Sequence, residues 1–460
     1  MAVGLLVLIA GTSFVVISTS FREALAGNEQ VRARQILSEG LAAVRHMRNR
    51  DFTLLEAGTH GLALSGTDWA FSGGSDVTDG TYARTVTVAK IDANQDDITV
   101  NVAWQPLPGR TASLSASTRL TNWLAAPIPS GSHCSTASAA GDWSHPTAAG
   151  SIDIGPGNEG TSVAVKGSDV FVSGEASSAA KPDLFVFDAT NPASIKPLAS
   201  VDIGSGGISS LFLLGNDLYA ASPNDGKEFM AFDVTDPAAP VLLGSVDLPG
   251  AAAGLSVLAD AHWAVVGRAS GSSANVVFFD VTDPAHPSVT ASFTEAGDIN
   301  DFATDGRYVY AVSTSDKSNV IVYDLSNPDA PARVTSFSLP SGSENISAAY
   351  EAPDTLFVGN TANQLAVLDV ADPRHPSVVS TYDVGGQVEK VSCVTGSLGF
   401  VASTNSNAEF SILDISHLAS IQPYASFNFP EVATDAVFSD DRVYISVRSN
   451  DALRIITPGP

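Results

Sequence analysis

LFVFD, ending at Asp188, decides how this chain is read, because it returns as FMAFD at Asp233, VFFD at Asp280, VIVYD at Asp324, LAVLD at Asp369 and FSILD at Asp414. The intervals between these aspartates are 45, 47, 44, 45 and 45 residues. In the first five copies two spacers, an Asp or Asn and a proline follow: Pro192, Pro237, Pro284, Pro328 and Pro373. The sixth copy lacks the proline. An unbroken apolar run predicts a strand buried on both faces. A period in the forties containing only short β-type runs fits a propeller blade of four strands. Helical repeats share the period, but they need long stretches of 3.6 periodicity, and none occurs.

Each repeat reads in the same order. A strand such as 161–165 leads to a turn and Asp169-Val170-Phe171-Val172, then the apolar run, then 197–203. The aspartate is expected to cap the turn by accepting backbone N–H groups, and the Asx-Pro after it to hold the chain extended. Recurrence in every copy favours a structural role for these aspartates over catalysis. His286 and His375, in DPAHP and DPRHP, are expected to be turn residues rather than ligands. Pairs of first and second strands recur near residues 161, 208, 254, 300, 346, 389 and 434, which predicts seven blades, with six and eight as alternatives. The last copy ends without a fourth strand. Residues 145–154 resemble 196–203, so an N-terminal strand is expected to complete the last blade and remove the exposed sheet edges.

Outward from the repeats, residues 127–142 (starting Pro127-Ile128-Pro129-Ser130-Gly131-Ser132) read as a linker, and 143–460 as the propeller. Met1–Ile17 is free of charge, and an apolar stretch over 1–20 is long enough to span a bilayer as a helix. The pattern continues through Val31, Ile36, Leu37, Leu41, Val44 and Met47 with Arg32, Arg34, Glu39 and Arg45 between them. This predicts one helix over 1–50, apolar and then amphipathic, rather than a cleaved signal peptide. Residues 51–126 change period: 82–88, 98–104 and 111–120 alternate and are rich in Thr and Val, as antiparallel strands do. The expected fold class is therefore an α+β module, a long N-terminal helix packed on a small antiparallel sheet, followed by an all-β propeller.

Two resemblances follow from these residues. Leu37-Ser38-Glu39-Gly40-Leu41-Ala42-Ala43-Val44-Arg45, the sheet after it and the closing Leu120-Thr121-Asn122-Trp123 resemble type IV pilins and pseudopilins over roughly 1–124. The resemblance implies an inner-membrane anchor, assembly with other pilin subunits through the N-terminal helix, and a place in the cell envelope or an extracellular pilus. The family's basic leader, cleavage glycine and early glutamate are missing, which leaves three readings: a misassigned start codon, a fragment that begins after those residues, or a degenerate copy of the family pattern. The apolar runs with their aspartates resemble the LVIVD-repeat family over about 145–457. That implies a propeller on a prokaryotic surface protein, with no reaction and no active-site residue to carry over.

Charge narrows the function. Residues 1–127 hold 10 basic and 11 acidic side chains, which leaves 13 and 38 to residues 128–460, a net charge of −25 out of −26. Such an acidic head argues against nucleic acid as a partner. No cofactor motif, metalloprotease motif or nucleophile elbow appears among the eight histidines and the glycine-rich turns. Asp92-Ala93-Asn94-Gln95-Asp96-Asp97 places oxygen ligands like a calcium loop, but it lacks the glycine and the distal glutamate, so a polar hairpin turn is expected and no metal. Cys134 and Cys393 either form one disulfide that ties the linker to the ring or stay as two free thiols. The expectation is a surface or filament subunit, not an enzyme, whose propeller binds an unknown protein or glycan. A structural pseudopilin of a secretion or DNA-uptake machine and a propeller-channel enzyme are the alternatives.

Overall fold

The computed structural model describes residues 29–48, 52–65, 68–92, 95–107, 109–121, 134–135, 139–176, 178, 181–271, 273–339 and 343–459. The apolar run of Met1–Ile17, most of the linker, Asn122-Trp123 and the tip of the Asp92–Asp97 turn lie outside them. The chain divides into two compact units, Met1–Ala126 and Pro127–Pro460.

In the first unit the expected α+β module is corrected. The described helix covers 29–48, not 1–50, and the chain as a whole is almost all β. The charged run Arg48-Asn49-Arg50-Asp51 ends the amphipathic stripe, and the sheet is larger than the three predicted strands. It has six, with Gly58–Ser65 and Asp68–Ser72 forming a hairpin beside Tyr82–Asp92, Gln95–Leu107 and Arg110–Thr121, while Asp76–Thr78 pairs with Tyr82–Asp92. The hairpin escapes sequence reading because Gly58, Gly61 and Ser65 dilute its alternation. Alternate sheet residues Val86, Val88, Ile98 and Val100 share a buried cluster with Ala43, Val44 and Met47. Arg84, also buried, is held by Asp76 at 2.9 Å.

The second unit is seven four-stranded antiparallel sheets. We number them blades 1–7 by their innermost strands: Asn158–Lys166, Ser210–Leu214, Gly254–Ala259, Ile299–Thr304, Asn345–Glu351, Val388–Val394 and Ala433–Ser439. Blade 7 takes its outermost strand, Asp142–Ile152, from the start of the unit, paired with Leu453–Gly459. The apolar runs are the third strands, and the four residues before the aspartate are buried in every copy, Ser411 of the sixth included. Both faces are covered because each hydrophobic cluster spans neighbouring blades. Phe229 of blade 2 stacks on Phe279 of blade 3 at 4.5 Å, and Phe400 of blade 6 on Phe438 of blade 7 at 5.2 Å.

Every outermost strand carries a β-bulge at the same place, opposite the middle of the apolar run. A bulge twists an exposed edge and blunts its pairing with other chains.

Candidate functional site

Two ends of the ring differ in construction. At one end lie the hairpins joining first to second strands and the turns joining third to fourth. Here Asp188, Asp233, Asp280, Asp324, Asp369 and Asp414 each accept the backbone N–H two residues on, at 2.8–2.9 Å. Hydrogen bonds from Thr190, Thr235, Thr282 and Ser416 hold the Asp188, Asp233, Asp280 and Asp414 carboxyls below the ordinary range. The Asx before the proline forms a second such turn: Asn191, Asp236, Asp283 and Asp372 accept from the residue two positions on. Asn191 is extended (φ −112°, ψ 101°). Pro192, Pro237, Pro284, Pro328 and Pro373 then take the second position of a β-turn, closed in the first copy by Ser194 N–H to Asn191 O at 2.9 Å. The sixth copy makes the same turn, Ser420 N–H to His417 O, without proline. His286 and His375 are exposed and pair with Asp283 and Asp372 of their own turns at 2.9 and 2.8 Å.

Cys134 and Cys393 are joined by a disulfide.

The opposite end of the ring opens into a cavity of about 500 Å³ on the axis. Its wall is built by a device that sequence periodicity does not show. In six blades the innermost strand has a β-bulge at its upper end, and the unpaired residues are Thr161, Leu255, Asn300, Ile346, Glu389 and Thr434. All six line the cavity, with Ser209 in the matching place of blade 2. A bulge re-aims a side chain out of the regular pleat, so these residues turn to the axis rather than into a blade.

The residue after each bulge forms a lower tier. In the seven blades it is Ser162, Ser210, Ser256, Asp301, Ser347, Lys390 and Asp435. Asp301 accepts Lys390 Nζ–H at 2.7 Å across the channel and the N–H of Ala348 in blade 5 at 3.0 Å. Asp435 accepts the N–H of Val163 in blade 1 at 3.0 Å and the Ser162 hydroxyl at 2.6 Å. Ser162 Oγ in turn accepts Leu211 N–H of blade 2 at 3.1 Å. The tier thus staples the innermost strands of blades 7 and 1, 1 and 2, and 4 and 5 to one another. Burial opposes the charge of Lys390, but Asp301 and Asp435 outweigh it and hold its ammonium pKa above the ordinary value.

Above this tier stand four glutamates and Arg448. Burial pushes the Glu389 carboxyl up, against Arg448 and a hydrogen bond from Gln387. Glu159, Glu175 and Glu344 are exposed, and their carboxylates have no hydrogen-bond or ion-pair partner among the described residues. Glu159 and Glu175 face each other directly in the ladder between first and second strands of blade 1. Like charges in directly opposed positions destabilise a sheet.

A second carboxylate group, Asp225, Glu228 and Asp247, lies close enough to hold a cation. Glu228 is already committed, to Arg268 at 3.1 Å and Leu248 N–H at 3.0 Å.

Comparison with known families places LVIVD repeats at residues 205–248 and 354–384. No curated protein matches the chain. Among solved structures the chain is similar to the Cps50 (Swd1) β-propeller domain of Myceliophteria thermophila, at 14% identity and TM-score 0.52 over 68% of this chain and 100% of that one. It is similar to virginiamycin B lyase from Staphylococcus aureus, at 8% identity and TM-score 0.50 over 68% and 98%. Chaetomium thermophilum Raptor is similar at 13% identity and TM-score 0.54 over 68% and 28%. Likeness at these identities establishes the propeller and nothing of its chemistry. The comparisons give no support to a type IV pilin or pseudopilin region. Among the described residues no helix is long and apolar enough to cross a membrane.

Proposed function

We propose that the propeller is a recognition module that takes an organic cation, an ammonium or guanidinium group presented by a polypeptide partner, at the open end of its channel. The observation that carries this reading is the rim. The Glu159, Glu175 and Glu344 carboxylates stand around a cavity of about 500 Å³ without partners among the described residues, and two of them occupy directly opposed positions of one ladder. A bound cation offsets the cost of placing like charges opposite each other. The cavity falls in the range of about 300–1,000 Å³ typical of ligand sites. The net charge of −25 on residues 128–460 adds long-range attraction for basic partners.

Recognition is favoured over catalysis by how the deeper charges are used. Asp301 and Asp435 are spent on amides of neighbouring blades and on Lys390. Carboxylates fixed in this way hold a ring together. The disulfide fits a protein that works outside the reducing cytoplasm, on a cell surface or beyond it. Display on a filament is not part of the proposal.

Isothermal titration of the full chain with a tri-arginine peptide tests it. We expect binding that weakens as salt rises and falls at least tenfold in a Glu159→Gln, Glu175→Gln variant. Absence of heat at low salt, or equal affinity in the variant, would sink the proposal. Cleavage or modification of the peptide, seen by mass spectrometry, would replace recognition with catalysis.

A further inference from the structure

The stretch of chain before the closing strand is fastened to the ring by more than its disulfide. Cys134 N–H donates to Tyr350 O at 2.7 Å, Ser135 N–H to Cys393 O at 2.7 Å, and Thr395 N–H to Ser135 O at 2.9 Å. Ser135 pairs with Val394 as a parallel bridge. Residues 134–135 therefore sit between the ends of the innermost strands of blades 5 and 6. Both cysteines are buried, 3% and 1% exposed, in a cluster with Phe357, Val391 and Leu413. Further along, Ala140 N–H donates to Asp441 in the blade 7 hairpin at 2.6 Å. The Trp143 ring then packs on Phe400 of blade 6 at 5.0 Å and Phe438 of blade 7 at 6.1 Å. The same stretch ends as the outermost strand of blade 7. One short piece of chain thus engages three consecutive blades before the ring meets its own beginning.

We propose that residues 134–135 and 139–152 form a redox-dependent clasp, in which the Cys134–Cys393 bond sets how readily the closing strand leaves blade 7. A strand supplied from the start of a domain is the segment expected to fray first. A detached strand always stays joined to blade 1 through residues 153–157, and with the bond intact it is also tethered at its other end, about eight residues from Cys134, which raises its effective concentration and speeds its return. With the bond reduced, 134–135 lose their covalent tie to the innermost strand of blade 6, and the whole stretch can peel away. Opening is thiol–disulfide exchange with a dithiol. One thiolate of the reductant attacks a protein sulfur, and its second thiol displaces the mixed disulfide. Two electrons and two protons pass to the protein, giving two cysteine thiols and a cyclic disulfide. Both cysteines are buried in the closed ring, so attack is faster after local opening. The clasp would be locked in an oxidising compartment and releasable in a reducing one.

Hydrogen exchange read by mass spectrometry tests this on the full chain in three forms: oxidised, reduced by dithiothreitol, and Cys134→Ser. In the reduced and Cys134→Ser forms we expect amides of 142–152 and 453–459 to exchange at least tenfold faster than in the oxidised form, while those of blade 3, 254–293, keep their rates. Equal rates in all three forms would overturn the proposal. So would acceleration spread evenly over the blades, or two free thiols in the protein isolated without reductant. Should Cys134→Ser fail to fold, the reduced native chain gives the same reading.

Discussion

The smallest unit of this architecture is a carboxylate that accepts the amide two residues ahead. Asp280 shows its energetics, since the hydroxyl and then the amide of Thr282 hold its pKa down. A depressed folded pKa adds stability that is present above the unfolded value, about 3.9, and is lost as pH falls through the folded one. Asp280→Asn keeps an acceptor but not the charge. Its urea midpoint should therefore lie below that of the native chain at pH 6, and the gap should close between about pH 4 and pH 2. A constant gap across that range would mean that charge plays no part. A buried pair behaves differently. Arg268 donates to Glu228 and to the carbonyls of Pro249, Gly250, Ala252 and Ala274. Arg268→Met leaves Glu228 charged, buried and unpaired, and should cost about 3–5 kcal/mol in urea unfolding. The aspartates were legible because they recur with the period. Arg268 was not, since it occupies one blade only and repeats nowhere.

At the scale of elements, the turns after the apolar runs of blades 1, 3 and 6 also touch the preceding blade. A Cβ on Gly150 in the outermost strand of blade 7 would meet Pro192 O of blade 1. One on Gly244 of blade 2 would come within 2.8 Å of Pro284 O and Ala285 O of blade 3. The Ser380 hydroxyl of blade 5 donates to Leu418 O of blade 6. The Asx-Pro turn is thus an inter-blade contact as well as a local one. Gly244→Val should destabilise the chain by about 1–3 kcal/mol through this overpacking. Gly271→Ala, where a Cβ meets nothing within 4 Å, should change stability by less than about 0.5 kcal/mol. Thermal unfolding of both variants checks the contrast. Strand order and the closing strand could be read from hydrophobic runs and from the likeness of 145–154 to 196–203. The bulges could not, because an extra residue leaves no mark in a sequence whose period varies from 44 to 47. Those bulges aim the cavity residues, which is why the rim went unread although its glutamates were in plain view.

For the whole molecule, closure and charge act together. The seam is covered by Asp142–Ile152, and Asp435 and Ser162 staple blade 7 to blade 1 inside the channel. Deleting the strand should expose the Leu453–Gly459 edge and produce oligomers or aggregates in size-exclusion chromatography, because unpaired edges recruit other strands. The expected α+β module gives way to a chain that is almost all β, whose described helix covers 29–48, while residues 1–28 lie outside the described residues. The acidity, by contrast, was correctly assigned to the repeats, and the structure shows it divided. Part caps turns at one end, part staples blades, and a remainder is left without partners at the open end. The central claim is that this remainder binds cations. It is tested most directly by the hydrogen-exchange footprint of a tri-arginine peptide on the full chain at low salt. Protection confined to the rim segments around 158–161, 174–176 and 344–346 is the predicted result. Protection at the Asx turns of the opposite end, or none at all, would contradict it.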